Sequence, residues 1–174
     1  MRSARAVGIG LLLSFLLWPE IPRYRAEREL GAASAAFEYV LDRPTEVKGA
    51  PAILDRITDA AIAAASDLPG DSRALALAGS CQLVNRNADR ALDLYREALA
   101  IEERAEIHLN VGRAHSLAEN RFAAEASFLR AVWISPALSS AVPKEFAGGI
   151  EAELRRMEKE LAAGRLTAPP ARAD

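Results

Sequence analysis

The chain of 174 residues carries a formal net charge of −2, and 51% of its residues are hydrophobic whereas only 6% are aromatic. A slightly acidic chain with few aromatic rings is poorly suited to non-specific nucleic-acid binding, which needs a basic surface or stacking platforms. A single cysteine excludes an intrachain disulfide. Abundant alanine, the best helix former, and the lack of alternating β-branched runs predict an all-α protein with one modest domain.

The first 21 residues predict a membrane anchor. Arg2 and Arg5 precede an apolar run over residues 6–18, and extending the run to residues 4–21 brings it close to the length that spans a bilayer. Bulky residues stand where the small-x-small cleavage site of a signal peptide belongs, and Trp18 suits a membrane interface. An uncleaved anchor is therefore favoured over a cleaved signal peptide and over a buried core helix.

The charges around this segment bear on its orientation. The short basic N-terminus favours a cytoplasmic start and export of the rest of the chain, whereas Arg23, Arg25 and Arg28 favour the opposite orientation. The excess of arginine over lysine is typical of GC-rich bacterial genomes. We expect a single-pass protein of the bacterial inner membrane with its remaining domain in the periplasm.

Helical periodicity and turn residues divide the rest of the chain into helix pairs. A linker helix with a degenerate helix pair is expected over 22–70, and two clear helix pairs over 71–142. The four helices of the clear pairs are predicted over 71–85, 87–101, 105–118 and 121–135. The remaining segments are a capping helix with one apolar stripe at 143–164 and a tail at 165–174 that we expect to be disordered.

The two clear helix pairs repeat each other after 33 residues. Residues of the same kind recur at this spacing: Gly79 and Gly112, Ala91 and Ala124, Tyr95 and Phe128, Ala98 and Ala131. A shared register at one fixed period indicates stacked helix pairs, none of which can bury its apolar face alone. The architecture predicted is an antiparallel helix-pair superhelix, with an anchor helix before it and a capping helix after it.

These residues resemble the tetratricopeptide repeat (TPR) family, of which the chain looks like a small membrane-anchored member. The small residues and the aromatic residue fall at the family's motif positions, and Pro136 stands where its helix-stopping proline belongs. The resemblance is clear over 72–136 and extends back to residue 51. It departs from the family at Glu103, which replaces that proline in the first repeat, and at His108 and His115, which replace large aromatic residues.

In this family the first helix of each pair lines a groove that binds a partner protein. The resemblance implies a partner-binding surface at nine residues here: Arg73, Ser80, Leu83, Val84, Glu106, Leu109, Arg113, Ser116 and Leu117. Its leucines and valine would hold apolar side chains of an extended or helical segment, and Arg113 would fix an acidic group. With so few repeats, the groove can instead be filled by the chain's own first or last helix. Ala76 and Ser80 replace the lysine and asparagine of members that clamp chaperone tails, so that function is not expected.

No pattern in the sequence indicates catalysis, a cofactor or a metal ion. His108 and His115 are seven residues apart, whereas metal ligands on one helix usually lie four apart. A glycine-rich phosphate loop and a nucleophile elbow are both missing from the sequence. We therefore expect a membrane-tethered adaptor that docks a protein of a cell-envelope assembly. The alternatives are a structural subunit packed permanently inside a larger membrane complex and a soluble exported binder.

Overall fold

The computed structural model describes residues 20–43, 47–165 and 168–171, and every regular element among them is a helix. The helices in chain order are α1 (Glu20–Asp42), α2 (Ala50–Asp67), α3 (Arg73–Val84), α4 (Ala88–Ile101), α5 (Ala105–Leu117), α6 (Arg121–Ile134), a 3-10 helix (Pro136–Ala141) and α7 (Lys144–Ala162). The all-α prediction is confirmed for these residues. Nearly all of the expected anchor lies outside them, and none of the helices described has the length and apolar character needed to cross a membrane.

The helices pack in chain order. Each helix from α1 to α7 contacts the next one, and further contacts join α1 to α3, α3 to α5 and α5 to the 3-10 helix. Connections of three residues, 85–87 and 118–120, reverse the chain within the two clear helix pairs. Because neighbours in sequence are neighbours in space, the arrangement of the described helices is similar to that of a helical repeat.

The 33-residue period is present in the backbone of these two turns. Arg86 and Glu119 are the two non-glycine residues of the described chain with positive φ, at 61° and 60°. The next residue in each turn donates its N–H to a carbonyl five residues back, from Asn87 to Gln82 and from Asn120 to His115, both at 2.9 Å. These bonds satisfy carbonyls that the ends of α3 and α5 would otherwise leave unpaired. The two helix pairs therefore end their first helix in the same way.

Each glycine of the repeat lies against the aromatic ring of its own helix pair. A Cβ atom added at Gly79 would lie 2.6 Å from Tyr95 Cε1, and one added at Gly112 would lie 2.5 Å from Phe128 Cδ1. Both rings are fully buried. Helices α3 and α5 approach their partners this closely because the glycine leaves room for the ring.

The core continues from these rings to both ends of the helix stack. Tyr95 packs with residues of α2, α3 and α5 in one cluster, whereas Phe128 packs with residues of α5 and α7 in another. The Phe128 and Phe146 rings lie 5.0 Å apart in a tilted arrangement, so that α7 closes the C-terminal end. Ala26 and Leu30 join α1 to α2 and α3 at the other end.

One residue of the described C-terminal tail, Pro170, lies against the helices, although the sequence predicted disorder for 165–174. Pro170 is buried, and its carbonyl accepts a 2.8 Å hydrogen bond from Arg130 Nη1. Arg130 is itself held by Glu103, whose Oε1 lies 2.9 Å from Arg130 Nε and 3.0 Å from Nε2 of the buried His108. These contacts place Pro170 against the second repeat, whereas Ala168, Pro169 and Ala171 are exposed.

Candidate partner-binding surface

Helices α3 and α5 form the surface to which the sequence assigned partner binding. The two helices contact each other directly and run in the same direction, because two short connections each reverse the chain between them. Each one turns its glycine face toward its partner helix and leaves a second face away from it. The predicted residues lie on these two helices, and their burial and bonding differ from one end to the other.

The C-terminal ends of α3 and α5 carry the uncovered apolar part of the surface. Val84 is 43% exposed, and Leu83 beside it is half-buried against the core. Ser116 and Leu117 are half-buried at the corresponding end of α5. The structure therefore leaves these four predicted residues within reach of a partner.

A polar centre adjoins this apolar end. The Ser80 hydroxyl donates to the Ala76 carbonyl at 2.9 Å and lies 3.1 Å from the Tyr95 hydroxyl. Burial raises the pKa of Tyr95, so its hydroxyl stays protonated and acts as a neutral hydrogen-bonding group. Asn110 Nδ2 donates to Ser80 Oγ at 3.5 Å. The hydroxyls of the first repeat are thus linked to the amide of the second.

Arg113 is the exposed cation of this centre. Its Nη1 donates to Asn110 Oδ1 at 2.9 Å, and its Nη2 donates to the Ala141 carbonyl in the 3-10 helix at 3.3 Å. A guanidinium has five N–H donors, so these two bonds orient Arg113 while leaving donors for an incoming carboxylate. Sequence reasoning missed Asn110. The available signal was its position 33 residues after Leu77, where a polar residue replaces an apolar one.

The N-terminal ends of α3 and α5 are engaged in local ion pairs. Arg73 Nη2 lies 2.8 Å from Glu27 Oε1 of α1, and its Nε donates to both carboxylate oxygens of Asp71 at 3.0 Å. Glu106 is exposed and lies 3.8 Å from Arg104. Arg73 therefore joins α1 to α3, and exposed pairs of this kind contribute little to stability or binding.

Leu109 requires a correction. Its side chain is only 5% exposed and belongs to the cluster formed by α6, the 3-10 helix and α7, with Val142, Phe146 and Ile150. The C-terminal segment fills the groove at this position, as the self-filling alternative allows. Leu109 is a core residue and not part of an open surface.

Cysteine and histidine side chains could in principle act as a nucleophile or as metal ligands, but their surroundings in the structure do not favour this. Burial raises the pKa of the Cys81 thiol to about 12, so this buried side chain is not a nucleophile at neutral pH. Burial, together with the charge of Arg96, lowers the pKa of His115. Within the described ranges, no three His, Cys, Asp or Glu side chains are grouped to hold a metal ion.

In comparisons with known proteins, the chain matches no protein-family model, no curated protein and no solved structure.

Proposed function

We propose that the chain is a non-enzymatic TPR-like adaptor that docks a segment of a partner protein on α3 and α5. The observation that carries this proposal is the apolar end formed by the exposed Val84 and the half-buried Leu83 and Leu117, with the exposed Arg113 four residues before Leu117. The TPR-like superhelix is supported by three features that recur after 33 residues: the glycine–aromatic contact, the left-handed turn residue and the hydrogen bond across the turn.

Most of the apolar end lies outside the buried core. Val84 and Leu117 belong to neither buried cluster, although Leu83 packs against the one around Tyr95, and no buried side-chain nitrogen or oxygen atom in the described chain lacks a hydrogen-bond partner. Val84 therefore keeps apolar surface in water that a partner can cover, with the half-buried Leu83 and Leu117 contributing what remains of theirs. These properties favour a docking surface over the alternative explanation, an incompletely packed core.

The chemistry of the surface selects the kind of segment it accepts. Leu83, Val84 and Leu117 suit one or two aliphatic side chains of the partner, and each such side chain contributes about 1.5–3 kcal/mol when fully buried. Arg113 suits a carboxylate close to them in the partner sequence. The affinity of so small a surface is modest. A tether through residues 4–21 would raise the effective concentration of a partner in the same envelope, which makes modest affinity sufficient.

The test is co-purification of the tagged full-length protein from detergent-solubilised membranes, read by quantitative mass spectrometry. Val84→Glu and Arg113→Glu place a negative charge on the surface and should each remove the partner. Ile101→Glu is the matched control, because Ile101 at the end of α4 is 41% exposed and lies outside the surface. All of these positions are exposed, so the melting temperatures should stay close to that of the unsubstituted protein.

Different outcomes separate the adaptor from its alternatives. A partner that is lost with both surface variants and kept with Ile101→Glu supports the adaptor. A partner kept with all variants and resistant to high salt and dilution favours the permanently packed subunit. Recovery of the protein from the soluble fraction, with an intact mass short of the N-terminal segment, favours the exported binder.

A further inference from the structure

A second concave surface lies between α1 and α2, on residues that the proposed function does not use. It has a volume of about 500 Å³. Its lining is mainly alanine and isoleucine, with one acidic and one basic side chain: Glu29, Ala32, Ala33, Ala36, Ile53, Arg56, Ile57 and Ala60. A smaller concavity of about 220 Å³ shares Glu29 and Ala32 with it and extends to Arg25 and Arg28. Together they form one trough along α1.

The trough has a cationic end and an apolar floor. Along α1 it extends from Arg25 to Ala36, which is about 16 Å at the helical rise per residue. Arg25 and Arg28 lie at one end. Arg56 lies toward the other end, since the adjacent Ile57 packs with Ala33 and Val40. Three arginines and one glutamate give the lining a local charge of +2 (three minus one) in a chain whose net charge is −2.

The arginines of the trough are not used inside the fold. Within the part of the chain that the structure describes, Arg25, Arg28 and Arg56 have no ion pair and no side-chain hydrogen bond, whereas Arg73 and Arg130 each bind a carboxylate. Glu29 is likewise without an ion pair there. The guanidinium groups at the cationic end are therefore available to an anion from outside the chain.

We propose that this trough binds an anionic amphiphile, with its acyl chain along the alanine and isoleucine floor and its headgroup between Arg25 and Arg28. Glu29 and Arg56 are the only charged or polar side chains among the residues that line the larger concavity, too few to pair with the regularly spaced N–H and C=O groups of an extended peptide, which would lose hydrogen bonds to water. An acyl chain has no such groups to satisfy. Its methylenes gain by leaving water, and a carboxylate or phosphate headgroup complements the excess of positive charge.

The trough does not share residues with the α3–α5 surface. If the chain is anchored in a membrane, the lipids of that membrane lie close to the trough. Arg25 follows Ile21, the last residue of the predicted membrane segment, by four residues, or about 6 Å of helix. This proximity rests on the proposed tether, whereas the trough and its charges do not. Of the two sources of an acyl chain with an anionic head, we assign an anionic phospholipid, because α1 continues directly from the predicted membrane segment; a free fatty anion is an alternative outcome of the test.

The experiment is isoleucine-methyl NMR of the full-length protein in a neutral detergent, titrated with dodecyl phosphate. Ile53 and Ile57 line the trough, while Ile101 and Ile134 are exposed elsewhere and serve as internal controls. Dodecyl phosphate should shift the methyl signals of Ile53 and Ile57 and leave those of the controls unchanged. Decyl phosphate, which is two methylenes shorter, should bind about tenfold more weakly. Inorganic phosphate and uncharged dodecanol should each bind far more weakly than dodecyl phosphate.

Matched variants test the two halves of the trough separately. Arg25→Glu with Arg28→Glu should weaken dodecyl phosphate at least tenfold, and Ala32→Trp should do the same by filling the floor. Arg56→Glu should have a smaller effect, because it lies away from the proposed headgroup position. Arg23→Glu makes the same charge change on an exposed residue of α1 outside the lining and should have no effect. Far-UV circular dichroism checks that each variant remains folded.

The outcomes decide both the site and the source of the ligand. Selective shifts that Ala32→Trp abolishes and Arg23→Glu preserves support the site. Response to phosphatidylglycerol nanodiscs but not to phosphatidylcholine nanodiscs then assigns it to bilayer lipid, and response to dodecyl phosphate alone assigns it to a free fatty anion. Equal binding of dodecyl phosphate and dodecanol overturns the proposal, as does tighter binding of an acidic amphipathic peptide at the same methyls. Loss of partner co-purification with Val84→Glu is measured separately, so either proposal can fail alone.

Discussion

Replacement of Gly112 by alanine tests the close contact between α5 and α6. The added Cβ would lie 2.5 Å from both Cδ1 and Cε1 of Phe128, well inside any real carbon–carbon contact. The ring has no free space to enter, because it is fully buried and packs against Phe146 at 5.0 Å. Overpacking of this kind costs about 1–3 kcal/mol, and the better helix propensity of alanine offsets about 1 kcal/mol of it. Since this clash is severe, we place the cost near the upper end and expect a net loss of about 2 kcal/mol.

Urea unfolding followed by circular dichroism measures this loss. Gly148→Ala is the matched control, because Gly148 also lies within a helix but has no atom within 4 Å of an added Cβ. The control should be stabilised by roughly 0.5–1 kcal/mol. In thermal melts the loss for Gly112→Ala should lower the melting temperature by about 2–4 °C per kcal/mol.

A double variant separates the steric explanation from a general effect of the substitution. Phe128→Leu makes room beside residue 112, so Gly112→Ala should cost less in that background than alone. If the two losses simply add, or if Gly112→Ala is as stabilising as Gly148→Ala, the reasoning about this contact is refuted.

Three further predictions follow from the described contacts. Ending the chain after residue 165 removes the hydrogen bond from Arg130 to the Pro170 carbonyl and the burial of that proline. This should lower the free energy of unfolding, measured in urea, by about 1 kcal/mol. An unchanged midpoint of the urea transition would mean that the tail contact is not stabilising. Burial and the charge of Arg96 lower the pKa of His115 below its ordinary 6.5, so the unfolded chain binds a proton better than the folded chain. The free energy of unfolding should therefore fall as the pH decreases through about 6.5. In melts from pH 8 to pH 5, His115→Gln should flatten this fall. Cys81, with its pKa raised to about 12, should resist a thiol reagent at pH 8 and react at the rate of a free thiol in urea; fast labelling of the folded protein would contradict its burial.

The helices themselves could be read from the sequence because their signals are local. The predicted helix over 87–101 is found as α4 (Ala88–Ile101), and the one over 121–135 as α6 (Arg121–Ile134). The glycine and aromatic positions of the repeat were also readable, since their spacing encodes the packing within each helix pair. Each of these features depends on residues that lie close together in the chain.

The features that could not be predicted from the sequence depend on contacts between segments that are far apart in the chain. Leu109 has the pattern of a groove residue, but it is buried in a cluster that includes Val142, Phe146 and Ile150 of the C-terminal segment. Asn110 is a single departure from the repeat, and only the structure shows it bridging Ser80 and Arg113. The trough between α1 and α2 arises from the way two helices outside the clear repeats pack. Periodicity within one helix carries no information about such contacts.

Site-specific photo-crosslinking in living cells tests the central claim most directly. A photoreactive phenylalanine analogue at Val84 reports on the proposed docking surface, and the same analogue at Ile101 is the control, since the two residues are 43% and 41% exposed. If α3 and α5 dock a partner, position 84 of the full-length protein should yield a discrete crosslinked species that disappears with Arg113→Glu, while position 101 should not. Crosslinks of equal yield at both positions, or a species at position 84 that persists with Arg113→Glu, would contradict docking on this surface.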